Sequence, residues 1–300
     1  MSADTGLARL LTDWQPAPVE QTERITPQPA SALAGLLDCH APAIVVGYPL
    51  PPLWHWVYLL ERPPQRALGL DGHLADGPFM PPIPHRRRMF AGGRMQYRAP
   101  MRVGDDITRR STLAGCTIKQ GRIGELLFVT VRHTFTRSGD LLAVEEQDLV
   151  YRSDPPGPQA SVAGKAPVTK PPGPAANSQP VDPVGEWRIE LCPDPVLLFR
   201  FSALTYNAHR IHYDAPYATI VEGHPGLVVH GPLLALLCLE LPRRHAPGRT
   251  ITLLSFRARR PLYAGQRVTV AGPAPRDKCQ MTVMTTEGVQ AMTATATFAS

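Results

Sequence analysis

The sequence predicts an α+β protein built from two similar units in one chain, each an antiparallel sheet wrapped around a buried helix. Three observations carry this. The length is 300 residues, more than one small core needs at about 150 residues per domain. A proline-rich break lies near the middle. The same order, one apolar helix and then several strands, is read on both sides of it. Two cores are expected.

The break runs from Asp154 to Pro183, where prolines alternate with Ala, Gly and Ser. Such a stretch can neither fill a core nor pair as a strand, so it reads as an exposed, semi-rigid linker. The units are placed at 1–153 and 186–300, with 154–185 between them. In the first unit Leu53 to Glu61 (LWHWVYLLE) follows a proline cluster and reads as a helix, with Trp54, Trp56 and Tyr58 as core or as the lining of a pocket. Ile107 to Arg152 breaks into alternating runs at Gln120-Gly121 and Ser138-Gly139-Asp140, the pattern of an antiparallel meander. In the second unit Trp187 to Leu204 reads as one or two strands, and His230 to Leu241 (HGPLLALLCLEL) as a helix apolar on nearly all sides, hence buried. Thr250 to Val270 and Cys279 to Phe298 read as strand pairs with turns at Ala264-Gly265 and Glu287-Gly288. The units show no residue-by-residue repeat.

Composition narrows the class. A hydrophobic share of 43% with 19% charged residues excludes a disordered chain. The net charge of +6 suits an anionic partner but does not name one. Five scattered cysteines, with no Cys-x-x-Cys pair, argue against a disulfide framework and for a reducing cytoplasm. Secretory-signal and membrane-spanning patterns are not found, so no membrane partner is expected. The basic run His85 to Arg88 reads as a loop rather than a nucleic-acid patch, because no aromatic residues interleave it.

The chemistry concentrates in Phe201 to Leu233, FSALTYNAHRIHYDAPYATIVEGHPGLVVHGPL, which holds His209, His212, His224 and His230, four of the ten histidines. Asn207 to Asp214 is polar and aromatic and reads as a site-bearing loop. Asp214, ahead of Ala215-Pro216, is a helix cap. His209-x-x-His212 lacks an acidic or cysteine ligand at a zinc spacing, so no metal is expected. Arg257 and Arg259 share a strand face and, with Arg260, suit phosphates as well as they suit solvent. His224-Pro225-Gly226 reads as a turn.

This segment resembles the active-site stretch of the MaoC-like hydratases and dehydratases, in which an Asp, four residues and a His lead into a Tyr-Ala helix. By position the family's His falls on His212, its Asp on Asn207, and its His-Gly turn on His230-Gly231. LTYNAHRIHYD and EGHPGLVVHGPL are more similar to a two-domain subgroup, type 2 hydroxyacyl-thioester dehydratases together with mesaconyl- and itaconyl-CoA hydratases. There an Asn at this place is expected. PLWHWVYLLERP and RRRMFAGGRMQYRAP extend the resemblance into the first half.

The resemblance implies a double hot-dog fold and a hydro-lyase acting on an acyl thioester. The N-terminal unit would be non-catalytic and make room for the acyl chain, and a homodimer is compatible. Coenzyme A would be part of the substrate, with no separate cofactor. Histidine titrates near neutral pH, so His212 is expected as the base. Asn207 cannot take a proton but can orient the attacking water. The N–H groups at Gly231, at the positive end of a helix, suit the thioester oxygen. His209, Arg210, His230, Arg257, Arg259 and Arg260 are expected to contact substrate. Rival readings are a 3-hydroxyacyl dehydratase working on acyl carrier protein, a thioesterase, and a thioester-binding protein without catalysis. Hydrolysis needs an acid near the helix start, and Glu240 lies about three turns in.

Overall fold

The computed structural model describes residues 6–39, 42–121, 124–153, 186–274 and 277–299; the expected linker lies outside them. Ten strands form one antiparallel sheet: β1 (Val19–Arg24), β2 (Arg86–Tyr97), β3 (Asp106–Gly121), β4 (Gly124–Arg137), β5 (Asp140–Ser153), β6 (Trp187–Leu191), β7 (Ile251–Ala258), β8 (Val268–Gly272), β9 (Lys278–Thr285) and β10 (Gln290–Phe298). Their order across the sheet is β1-β3-β4-β5-β2-β7-β10-β9-β8-β6. The expected meander is β3-β4-β5.

The halves meet where β2 pairs antiparallel with β7, from Gly92 opposite Arg257 to Gln96 opposite Leu253. A side chain at Gly92 would strike the Phe256 carbonyl, and one at Gly93 would sit 2.8 Å from the Phe256 ring. Two consecutive glycines therefore let the seam close over that aromatic. The apolar clusters do not divide at the seam. One apolar cluster takes in Ile25, Trp54 and Phe135 from the first half together with Leu233, Val268 and Phe298 from the second. A smaller cluster around Leu127, Val129 and Tyr151 lies within the first half.

Among the described residues four α-helices pack with the sheet: α1 (Gly6–Leu11), α2 (Pro27–Leu36), α3 (Pro195–Leu204) and α4 (Gly231–His245). The α4 helix is the expected central helix, and every residue from Leu233 to Pro242 in it is buried. Four local readings are corrected. Leu53 to Glu61 is not a helix; only Trp54–Val57 makes a 3-10 turn, bracketed by Leu53 and Leu59 with φ of 66° and 53°. Side-chain bonds fix this irregular path, since the Trp56 Nε1–H donates to Glu145 at 2.7 Å and the Ala30 N–H to the Tyr58 hydroxyl at 3.1 Å.

Trp187 to Leu204 is one strand and then α3, because Asp194 caps the Leu197 N–H at 2.8 Å and Pro195 opens the helix. Arg86 to Arg88 begin β2 rather than a loop, with His85 at φ 47° turning the chain into it. The Ala264-Gly265 turn joins strands that do not pair, since β7 lies against β2 and β10 while β8 lies against β6 and β9. Among the described residues no helix is long and apolar enough to cross a membrane.

Candidate active site

The chain leaves α3 through Tyr206, at φ 50°, and the Asn207 N–H returns to the Ser202 carbonyl at 2.8 Å. The Asn207 side-chain oxygen then accepts from the His209 N–H at 3.0 Å, which fixes the loop and turns the amide toward a cavity. Arg210–His212 is a single 3-10 turn. Asp214 takes its expected capping place, accepting from the Tyr217 N–H at 3.0 Å. It also anchors the Arg210 guanidinium, at 3.0 and 2.7 Å.

His212 is buried, and its Nδ1 lies 2.7 Å from the Val228 carbonyl. A carbonyl only accepts, so the Nδ1 carries the proton and the Nε2 keeps a free lone pair. Burial lowers the His212 pKa to about 4, against the raising effect of the Val228 bond, so the ring is neutral and basic at pH 7. His230 stacks on it, 3.6 Å between ring centroids, and meets the Ser202 hydroxyl through Nε2 at 2.9 Å. Gly231 opens α4, and a Cβ there would lie 2.7 Å from the Phe90 ring of β2. Pro232 follows and has no N–H, which leaves Gly231 and Leu233 as the donors at this helix start.

The cavity beside this loop measures about 880 Å³. Most of its wall belongs to the first half, including Trp56, Tyr58, Phe79, Arg88, Arg109 and Glu145; the second half adds Ser202, Asn207, Tyr213 and Pro232. Trp54 does not reach it. Asn207 and Ala208 are in the wall, whereas His209 and His212 are not. Arg257, Arg259 and Arg260 are exposed on and beyond β7, outside the cavity lining, and the Arg259 Nε donates to the Thr293 hydroxyl at 3.3 Å. The Arg210 guanidinium is occupied by Asp214, the Leu70 carbonyl and the face of Tyr217.

The sequence reading missed the loop from Gly69 to Leu74. It docks on the site loop: the Arg210 N–H donates to the Asp71 carbonyl at 2.9 Å, and a side chain at Gly72 (φ 88°) would collide with the Ala208 carbonyl. His73 lines the cavity, lies 3.9 Å from His209 between ring centroids, and bonds through Nδ1 to Asp71 at 3.1 Å. Burial pushes the Asp71 carboxyl up, but the bonds and charge of His73 outweigh it and hold the pKa at about 2.

This loop supplies the acid that the sequence reading found lacking near His209. Asp71, His73 and His209 place ligand atoms within 4.8 Å of one another. The Asp71 carboxylate is nevertheless taken by the backbone N–H and the ring of His73. The His209 ring is tilted 38° against that of His73. The group is a hydrogen-bonded pair with a tilted ring beside it.

A ten-strand sheet built from two like halves, with a buried helix and this histidine loop, defines a double hot-dog protein of the MaoC-like class. The family model for hydroxyacyl-thioester dehydratase type 2 matches residues 53–264, and the chain belongs to that family. It is 43% identical over 287 residues to mesaconyl-C(4)-CoA hydratase of Chloroflexus aurantiacus, covering 94% of this chain and 97% of the relative. Its fold is that of HtdX of Mycobacterium tuberculosis, with a TM-score of 0.62 and 15% identity over 93% of this chain and 99% of that one. A second protein of that organism, described as a double hot-dog, aligns with a TM-score of 0.57 and 14% identity over 95% and 96% of the chains.

Proposed function

We propose that the protein adds water reversibly to a short branched or dicarboxylic enoyl-CoA, of the mesaconyl-CoA or itaconyl-CoA type. The observation that carries this is His212, whose proton is fixed on Nδ1 beside an amide, Asn207, that faces a substrate-sized cavity. In hydration the His212 Nε2 takes a proton from water while the water oxygen bonds to the β-carbon. The double-bond electrons pass into an enolate, whose oxygen is met by the Gly231 N–H at the positive end of α4. Asn207 orients the water. His209 and His230 hold the His212 ring between them, and Arg210 holds the loop. The exposed Arg257, Arg259 and Arg260 offer charge to the coenzyme A phosphates.

The acyl group is assigned to the first-half wall. A free carboxylate on it is suited by Arg88 and Arg109, the two arginines lining the cavity. The Arg109 Nε is buried without a hydrogen-bond partner. Hydrolysis is disfavoured because Glu240, the acid on α4, is held by Arg243 at 2.7 Å and Arg244 at 3.3 Å. The reading includes no separate cofactor, a cytoplasmic place supported by five free cysteines, and a homodimer that sedimentation would test.

The deciding experiment follows enoyl absorbance with mesaconyl-C4-CoA, itaconyl-CoA and crotonyl-CoA, monitoring free thiol and using His212→Ala as control. Loss of signal without thiol, abolished in the variant, is expected. Thiol release would replace the reading by a thioesterase. No reaction on any of the three would move it to a carrier-protein substrate or to binding alone.

A further inference from the structure

We propose that the first half supplies the second proton-transfer group: His73, held by Asp71, gives the proton to the α-carbon in hydration and takes it back in dehydration. This rests on the hydratase reading and completes it. The site loop puts Asn207 and no acid in the cavity wall, and an amide does not titrate at working pH.

The geometry leads to His73. In the site cluster formed with His209, His212 and His230, it is the histidine that forms part of the cavity wall. It reaches the others through an unbroken series of ring contacts, 3.9 Å to His209, 5.4 Å from His209 to His212 and 3.6 Å from His212 to His230. Asp71 holds it twice, accepting from its backbone N–H at 3.0 Å and from its ring Nδ1–H at 3.1 Å. That pairing fixes the ring with its proton on Nδ1 and leaves the Nε2 lone pair free to take up a proton and pass it on. The loop cannot drift, because Gly72 is pressed against the Ala208 carbonyl and Arg210 bonds to the Leu70 and Asp71 carbonyls. The titratable and charged groups around His73 are Asp71 on its own loop, His209 before the 3-10 turn, Arg88 on β2 and Glu222 past Tyr217. Asp71 is the one that bonds to it.

The step balances. One water O–H breaks as the O–Cβ bond forms, and that proton goes to the His212 Nε2. The enolate then collapses, the Cα–H bond forms with the proton of the His73 Nε2, and the N–H electron pair stays on the ring. That proton is the one His212 took from water, passed to the His73 Nε2 through His209 or solvent; both rings start neutral, as burial favours, and both end neutral. The net change is one water consumed. Asp71 is a positioning residue that offsets the charge on His73.

The test measures hydration by the wild type, His73→Gln, His73→Ala and Asp71→Asn, with folding checked by circular dichroism. Each variant should lower kcat by about 100-fold or more with KM within a few fold. Asp71→Asn should move one limb of the kcat pH profile, and imidazole should restore part of the His73→Ala rate. Wild-type kcat in His73→Gln overturns the inference while leaving the hydratase reading intact. Loss of activity on dialysis against chelator, restored by zinc, overturns it in favour of a cation held by Asp71, His73 and His209. No water addition by the wild type overturns both readings.

Discussion

Strand order runs β1-β3-β4-β5-β2 in the first half and β6-β8-β9-β10-β7 in the second, so each half sets its first strand at the outer edge and its second at the seam. In both, a proline-started helix follows the first strand: α2 after β1 and α3 after β6. The halves part company in the next segment. The second half places the site loop and then a fifteen-residue helix, buried from Leu233 to Pro242, before β7. The first half reaches β2 through a four-residue 3-10 turn and irregular chain. Its β3, β4 and β5 are also longer, 16, 14 and 14 residues against 5, 8 and 9 for β8, β9 and β10. Long strands without a helix of matching length to cover them leave the cavity walled by Val131, His133, Phe135, Gln147 and Tyr151. One copy of the fold has the long helix and bears the histidine loop; the other has no helix of that length before its second strand and supplies most of the cavity wall.

The comparison breaks most sharply if the base is not in the second half. His212→Ala should lower kcat by about 1000-fold with the protein still folded, and steady-state kinetics beside thermal melting reads both quantities. Because burial holds His212 at about 4, the acidic limb of the wild-type kcat profile should fall near that value rather than near 6.5. The same depression makes folding acid-sensitive. Between pH 6.5 and 4 the unfolded chain binds more protons than the folded one, so stability is lost as pH falls through this window. Glu145 extends the loss. Burial raises its pKa, but His55 more than offsets this and holds it at about 2 against 4.5, so its contribution disappears as pH drops from 4.5 toward 2. Denaturant melts at pH 7, 5 and 3.5 should therefore show a steady fall.

Next in size is the contact between the halves. Gly72→Ala adds a methyl at a left-handed φ and against the Ala208 carbonyl, which should cost about 2 kcal/mol or more, measured as a lower urea midpoint. An unchanged midpoint would mean that the 69–74 loop does not rest on the site loop. Arg109→Gln tests the claim that the first half reads the acyl group. KM for mesaconyl-C4-CoA should rise about 10-fold, or about 1.4 kcal/mol, while KM for crotonyl-CoA, which has no second carboxylate, stays put. Equal effects on both substrates would give Arg109 a structural role alone.

What could be read from the sequence divides along the same line. The central helix was legible because every face of HGPLLALLCLEL is apolar, and the site loop because four histidines crowd a stretch too polar for a core. The α3 helix was misread as strand although Asp194-Pro195 carries the same cap signal as Asp214-Ala215-Pro216; the apolar run after it masked the boundary. Trp54–Val57 looked helical by composition, while its path is set by bonds to Glu145 and Thr26, partners distant in sequence. Asp71 and His73 have no periodicity around them and meet the site only through the fold. Asp71-Gly72-His73 was the available signal, a turn glycine between two proton-handling residues. The likeness of the halves lies in strand order, which no residue-level repeat records.

The smallest test asks whether the like helices of the two halves are secured alike. Asp194 caps α3 by accepting from the Leu197 N–H, whereas Thr26, at the same place before α2, makes no side-chain capping bond. Its carbonyl instead accepts from the Tyr58 hydroxyl, which also receives the Ala30 N–H, so α2 is held by the irregular segment that takes the place of a long helix. Asp194→Ala should then cost about 1 kcal/mol and Thr26→Ala only a few tenths. Tyr58→Phe, which removes both bonds to the α2 region, should cost about 1 kcal/mol more than Thr26→Ala. Equal losses at Asp194 and Thr26 would mean that the two helices start by the same device. The expected inequality, read from urea midpoints of the three variants, would show that the first half traded a local cap for a clamp from the segment that lines its cavity.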